Sequence, residues 1–188
     1  TQVRVPLTDL VDRQIRARIA DYASTGISFS YFSLGVPDAE TIELLRDFRD
    51  LTAQLEVVGS SDDLHDIAYD FKRLAGLGDL PIIVGKSHSS KYEPKRGSKF
   101  AHSVSSGFKW ENREVVCAAL NSIDSKRRIG GVVFQLNLDD QLEARLKDMD
   151  AFAKTNNLAI AVNIRLANPN PAIANFDNEA IAARVRSR

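Results

Sequence analysis

Short runs of β-branched and aromatic residues alternate along this chain with longer stretches whose apolar residues recur every three or four positions. That alternation constrains the fold more than any other feature, because it is the pattern of repeated β/α units. Between residues 8 and 24, Leu10, Val11, Ile15, Ile19 and Tyr22 stripe one face of an N-terminal amphipathic helix, which Gly26 ends. Ile27–Leu34 reads as the first strand. Pro37 and Asp38 open a helix carrying Leu44, Leu45, Phe48 and Leu51, and Gln54–Val58 follows as a strand.

Ser60 or Ser61 caps the next expected helix, whose stripe is Leu64, Ile67, Ala68, Phe71 and Leu74. Pro81–Val84 is a third, wholly apolar strand. Val115, Val116, Ala119, Leu120 and Ile123 mark a helix before the strand Val132–Leu136. Asp139 or Asp140 caps a helix with Leu142, Leu146, Met149 and Phe152, before the strand Leu158–Leu166. A last short helix begins near Asp177.

Five strands separated by helices of ordinary length imply right-handed crossovers and a mainly parallel five-stranded sheet in one α/β domain over residues 1–188. The length favours a flavodoxin-like open sheet over a complete eight-stranded barrel. One pattern supports a barrel-like, partial TIM-type alternative. Ser28 and Ser30, Gln54 and Glu56, Gln135 and Asn137, and Asn163 and Arg165 place polar residues on alternate strand positions. One face of the sheet is therefore expected to be wet, as in the interior of a curved sheet.

Twenty-five Lys and Arg balance twenty-five Asp and Glu, so no global field draws the molecule to nucleic acid or to an anionic membrane. No stretch of eighteen apolar residues occurs, and the reading is of a soluble chain without membrane partners. The single cysteine, Cys117, has no intrachain partner, which fits a reducing, cytoplasmic compartment. Its place between Val116 and Ala118 on a helix marks it as a packed thiol rather than a nucleophile.

The neutral total hides an asymmetry. Residues 86–111 form a long basic insertion, in which Lys86, Lys91, Lys95, Arg96, Lys99 and Lys109 face only Glu93 as far as Lys109. His88, His102 and seven serines share this stretch. Lys and Arg charges with Ser hydroxyls are the donors that phosphate and other oxyanions use. Ligands of α/β sheets lie beyond the carboxyl ends of the strands, and Lys86 follows the third strand directly. The bland alternative is a solvated insertion, or one that pairs with an acidic surface in a homo-oligomer.

Lys86, Lys91, Arg96 and Lys99 are accordingly the expected anion ligands, joined by Asn137, Asn163 and Arg165 from strand ends. His88 and His102 are candidate general acid and base, because imidazole titrates near neutrality, and Glu56 is a candidate base or a restraint on Arg165. Tyr92, Phe100, Phe108 and Trp110 interleave with the bases, an arrangement that would also stack nucleobases.

No Walker loop, Gly-x-Gly-x-x-Gly turn or Gly-x-Ser-x-Gly elbow occurs, and no His or Cys pair stands at metal-ligand spacing. The sequence names no cofactor and no metal site. The leading expectation is binding, extending to hydrolysis or transfer, of a small phosphorylated or anionic ligand at the carboxyl edge of the sheet. The alternative is a non-enzymatic module that uses the basic aromatic loop for nucleic acid or assembly.

Overall fold

The computed structural model describes residues 2–59, 70–89, 103–105, 107–122, 129–137 and 141–165. Strand β1 (Gln2–Pro6) leads through a 3-10 turn (Leu7–Leu10) into α1 (Arg13–Ala23). Then come β2 (Ser28–Leu34), α2 (Ala39–Asp47), β3 (Thr52–Gly59), a 3-10 segment (Asp70–Leu77) and β4 (Ile82–Ser89). The chain continues through β5 (Ser103–Ser105), β6 (Phe108–Lys109), α3 (Arg113–Ser122), β7 (Ile129–Asn137), α4 (Leu142–Asn156) and β8 (Ala159–Arg165).

Local chemistry sets the helix ends. The Asp12 carboxylate accepts the backbone N–H groups of Gln14 at 2.8 Å and Ile15 at 3.1 Å, so α1 starts at Arg13 rather than continuing from Thr8. Asp38 accepts the Thr41 N–H at 2.8 Å and starts α2. Asn157, at φ 49°, closes α4 in the left-handed region. The N-cap of α4 is Gln141, not Asp139 or Asp140, and its side chain makes no capping bond.

The fold is α/β with an open, mostly parallel sheet. Among the described residues eight strands run β1-β2-β3-β4-β7, with β8 on the far side of β7 and β5 and β6 on β4 and β7; each pair there is parallel except β4 with β5. Three of these strands exceed the five that the sequence pattern suggests. Strand β1 is short and polar, and its pairing with β2, Val3 opposite Phe29 and Val5 opposite Tyr31, is what makes it a strand. Strands β5 and β6 fall inside the basic insertion, and β4 itself runs on to Ser89, so Lys86 and His88 are strand residues.

The two faces of the sheet differ as the alternation requires. Phe29, Tyr31, Leu55, Val57, Val84, Val132 and Phe134 are buried on the helix side. They pack in one core with Ile19, Ile42, Leu45, Leu120 and Met149 from the helices. The other face is polar and concave. A flat run of six strands would hold β1 and β8 about 24 Å apart. Instead Arg4 of β1 and Asn163 of β8 line a single cavity of about 310 Å3, so the open sheet is curled toward closure.

Strands β4 and β7 pair only up to Val84 and Val132 and then part. The gap is filled by the segment that supplies β5 and β6, which pair with β4 and β7 respectively. Gly107 is the pivot: its N–H donates to the Lys86 carbonyl at 3.0 Å, and its φ is 80°. A Cβ there would stand 2.5 Å from the Val133 carbonyl oxygen, so only glycine fits. No helix among the described residues is long and apolar enough to cross a membrane.

Candidate binding cleft

The concave cavity draws on five strands. Arg4 comes from β1, Gln54 and Glu56 from β3, Ile83 from β4, Val133 from β7, and Ala161 and Asn163 from β8. Register explains the convergence. Arg4 lies opposite Ser30, and Ser30 opposite Gln54; one row on, Glu56 lies opposite Ile83. Val133 lies opposite Ala161, and Gln135 opposite Asn163.

On its wall Arg4 Nε donates to Glu56 Oε2 at 2.7 Å. The Arg4 guanidinium also stands 4.1 Å from the centroid of the Phe32 ring, which holds it flat against β2 by cation–π attraction. The Glu56 side chain is only 9% exposed, whereas the Arg4 side chain is 45% exposed. Room for that carboxylate is made by Gly85, where a Cβ would lie 2.7 Å from Glu56 Oε1. In the neighbouring row, the Gln2 amide donates to the Ser30 hydroxyl. A charged pair, two amides and an apolar floor of Ile83 and Val133 thus share one small space.

Of the residues singled out in the sequence, Glu56 and Asn163 meet in this cleft. Asn137 and Arg165 are backbone neighbours one row above Gln135 and Asn163, toward the carboxyl ends; the positions of their side chains lie outside the described residues. His88 pairs with Val104 along β4 and β5. His102, Lys91, Arg96 and Lys99 lie outside the described residues.

Lys86 does not join the cleft. It follows the alternation of Ile82 and Val84, on the face opposite Ile83, and is buried. Desolvation pushes its amine below the ordinary lysine range, and the charge of Lys109 lowers it further. Arg4 and Gln54, not singled out as site residues in the sequence, line the cleft. Gln54 carries the polar alternation visible in the sequence, while Arg4 has only the Val3-Arg4-Val5 pattern to mark it.

Two aromatic residues of the basic insertion belong to the core. Phe108 and Trp110 are buried, and the Trp110 ring meets Phe134 and Phe152 edge-on at 5.1 and 5.5 Å. Neither presents a face on which a nucleobase could stack. Cys117 is packed on α3, where its thiol donates to Asn156 Oδ1 at 3.1 Å and burial raises its pKa. Among the described residues no group of three or more His, Cys, Asp or Glu side chains could hold a metal ion.

A second cavity of about 320 Å3 lies on the helix side of β1. Val3, Val5, Ile15, Ile19, Tyr22 and Phe29 line it, with Asp9 and Arg18 at its margin, and its walls are almost wholly apolar.

Fold and site define an open, curled α/β sheet protein with a polar cleft on its concave face. Comparison with models of protein families, with curated proteins and with solved structures finds no match.

Proposed function

We propose that the concave face binds a small organic anion, with Arg4 as its charged anchor. The observation that carries the reading is the Arg4–Glu56 pair set in a cleft of about 310 Å3 that five strands build together. Pockets for small ligands begin at about 300 Å3 and combine apolar walls with a few placed polar groups. Ile83, Val133 and Ala161 are such walls, and the Gln54 and Asn163 amides are such groups. Arginine keeps its charge at every accessible pH and offers a planar fork to carboxylate or phosphate. Glu56 would stand beside any ligand held by Arg4, where it could accept a proton in a hydrolysis or transfer step.

The basic stretch from Lys86 to Lys109 extends the proposal toward phosphorylated ligands, with Lys91, Arg96 and Lys99 as further cations in the sequence. The two parts of the reading have separate tests. Calorimetric titration with small carboxylates and phosphates should give binding that Arg4→Ala weakens at least tenfold. Unchanged affinity in that variant would remove the cleft from the reading. Phosphate should also raise Tm more than chloride at equal ionic strength, and a Lys86→Ala, Arg96→Ala double variant should lose that margin. Equal gains in both proteins would remove the basic stretch.

A further inference from the structure

The apolar groove beside α1 occupies a place in the fold that says what should cover it. Val3 and Val5 of β1, Phe29 of β2, and Ile15 and Tyr22 of α1 are among its walls. Val3, Ile15 and Tyr22 remain exposed, and large apolar side chains gathered on one exposed surface mark a place of contact. Among the described residues none from α2 lines the groove, so it opens on the outer side of α1, toward the edge of the sheet at β1.

Strand order decides where the chain after β8 belongs. From β1 through β4, and again from β7 to β8, each strand is added parallel on the same side of its predecessor. The helices α1, α2 and α4 join these pairs, and Ile19, Ile42 and Met149 place all three on one face of the sheet, as crossovers of a single hand require. A segment that continues the same sense after β8 lies on that face, displaced from β8 away from β7. The sheet curls until Arg4 of β1 and Asn163 of β8 line one cavity, so that place falls over β1.

The sequence after Arg165 carries a matching pattern. Asp177 is a good N-cap residue type, and Phe176 before it and Ile181 four positions after it stand at the spacing of a hydrophobic staple. At helical spacing Ile181, Ala182 and Val185 share one face, and Arg184, Arg186 and Arg188 suit the C-terminal end of a helix. Residues 166–176 reach up to roughly 36 Å when extended, enough to carry the chain from the end of β8 to the outer side of α1. We propose that residues 176–188 occupy the groove, with Ile181, Ala182 and Val185 set against Val3, Ile15 and Tyr22. The chain's own continuation then covers the helix side of β1.

The test is NMR on the wild-type chain with labelled Ile and Val methyl groups. The expected result is nuclear Overhauser contacts from the Ile181 or Val185 methyls to those of Val3, Val5, Ile15 or Ile19, within one molecule and unchanged on tenfold dilution. Contacts that arise only between differently labelled copies put a second copy in the groove and overturn the assignment. No contact from Ile181 or Val185 to β1 or α1 overturns it as well. An Ile181→Asp, Val185→Asp double variant should speed amide hydrogen exchange in α1 at least tenfold, and rates equal to wild type would count against the proposal. Should that variant not fold, the methyl contacts of the wild-type chain decide alone. None of these results bears on the concave cleft, whose anion titration is separate.

Discussion

Strand β1 lines two cavities of nearly equal size and opposite character. On one side Arg4 faces the concave cleft of about 310 Å3; on the other Val3 and Val5 face the groove of about 320 Å3 under α1. Volume therefore says little about what either one does. The groove offers area with little direction: apart from Asp9 and Arg18 its lining residues are apolar or aromatic, and burial of apolar surface is non-directional. The cleft offers direction, because a guanidinium fixed by a carboxylate and an aromatic ring can be matched by few ligands. One five-residue strand borders both, since alternate side chains leave a strand on opposite faces.

The largest effect should come from testing that division on another strand. Leu55 and Gln54 are adjacent on β3, the first fully buried on the helix side and the second in the cleft. Leu55→Ala should cost about 2–5 kcal/mol in urea melts through lost burial and a cavity. Gln54→Ala should cost less than about 1 kcal/mol. Similar costs for the two would break the two-face account.

Tyr31 gives the next effect, and it belongs to the helix side alone. Its hydroxyl is buried and has no hydrogen-bond partner among the described residues. Burial first, and then the charge of Asp9, push its pKa up to about 12 from an ordinary 10. The folded state thus holds the neutral phenol, and the unfolded state ionises first as pH rises. Stability from this group is complete below pH 10 and should fall by roughly 2–3 kcal/mol between pH 10 and 12. Tyr31→Phe should flatten that part of the pH profile and be neutral or slightly stabilising at pH 7. An unchanged profile would show that the hydroxyl is solvated.

Gly85→Ala should act on the cleft more than on the fold. The new methyl would meet Glu56 Oε1, which must move, and ligand affinity should fall about tenfold, or 1.4 kcal/mol. A loss of stability with unchanged affinity would mean that the carboxylate is not part of the site. Of similar size should be the effect of Arg4→Ala on stability. The Arg4 side chain is nearly half exposed, but it is taken from a Glu56 side chain only 9% exposed, so the loss should be about 1–3 kcal/mol. A much larger loss would recast the pair as structural.

Much of the fold was legible in the sequence because it is written locally. The stripes of α1, α2 and α4 and the polar alternation at Gln54 and Glu56 follow from residues three, four or two positions apart. What stayed hidden depends on distant partners. Residues Lys86 to Ser89 look like a polar loop, and they form strand because Gly59 and the segment Ser103–Ser105 pair with them. Strand β1 is too short and polar to declare itself without β2.

The site divides in the same way. Glu56 and Asn163 are marked by alternation, but Arg4 meets Glu56 across 52 residues of sequence, and no local pattern announces such a contact. Lys86 shows the same limit of local reading. Charge in sequence suggested a ligand, while strand parity and burial place it on the face away from Glu56.

The claim that the concave cleft, and not the apolar groove, is the ligand site can be tested in one titration followed by backbone amide NMR, with the tightest-binding small carboxylate or phosphate as ligand. The account predicts that shift changes concentrate at Gln54, Glu56, Ala161 and Asn163, on β3 and on the strand β8 three places away from it in the sheet. Changes concentrated instead at Ile15, Ile19 and Tyr22 of α1, with β3 and β8 silent, would contradict it.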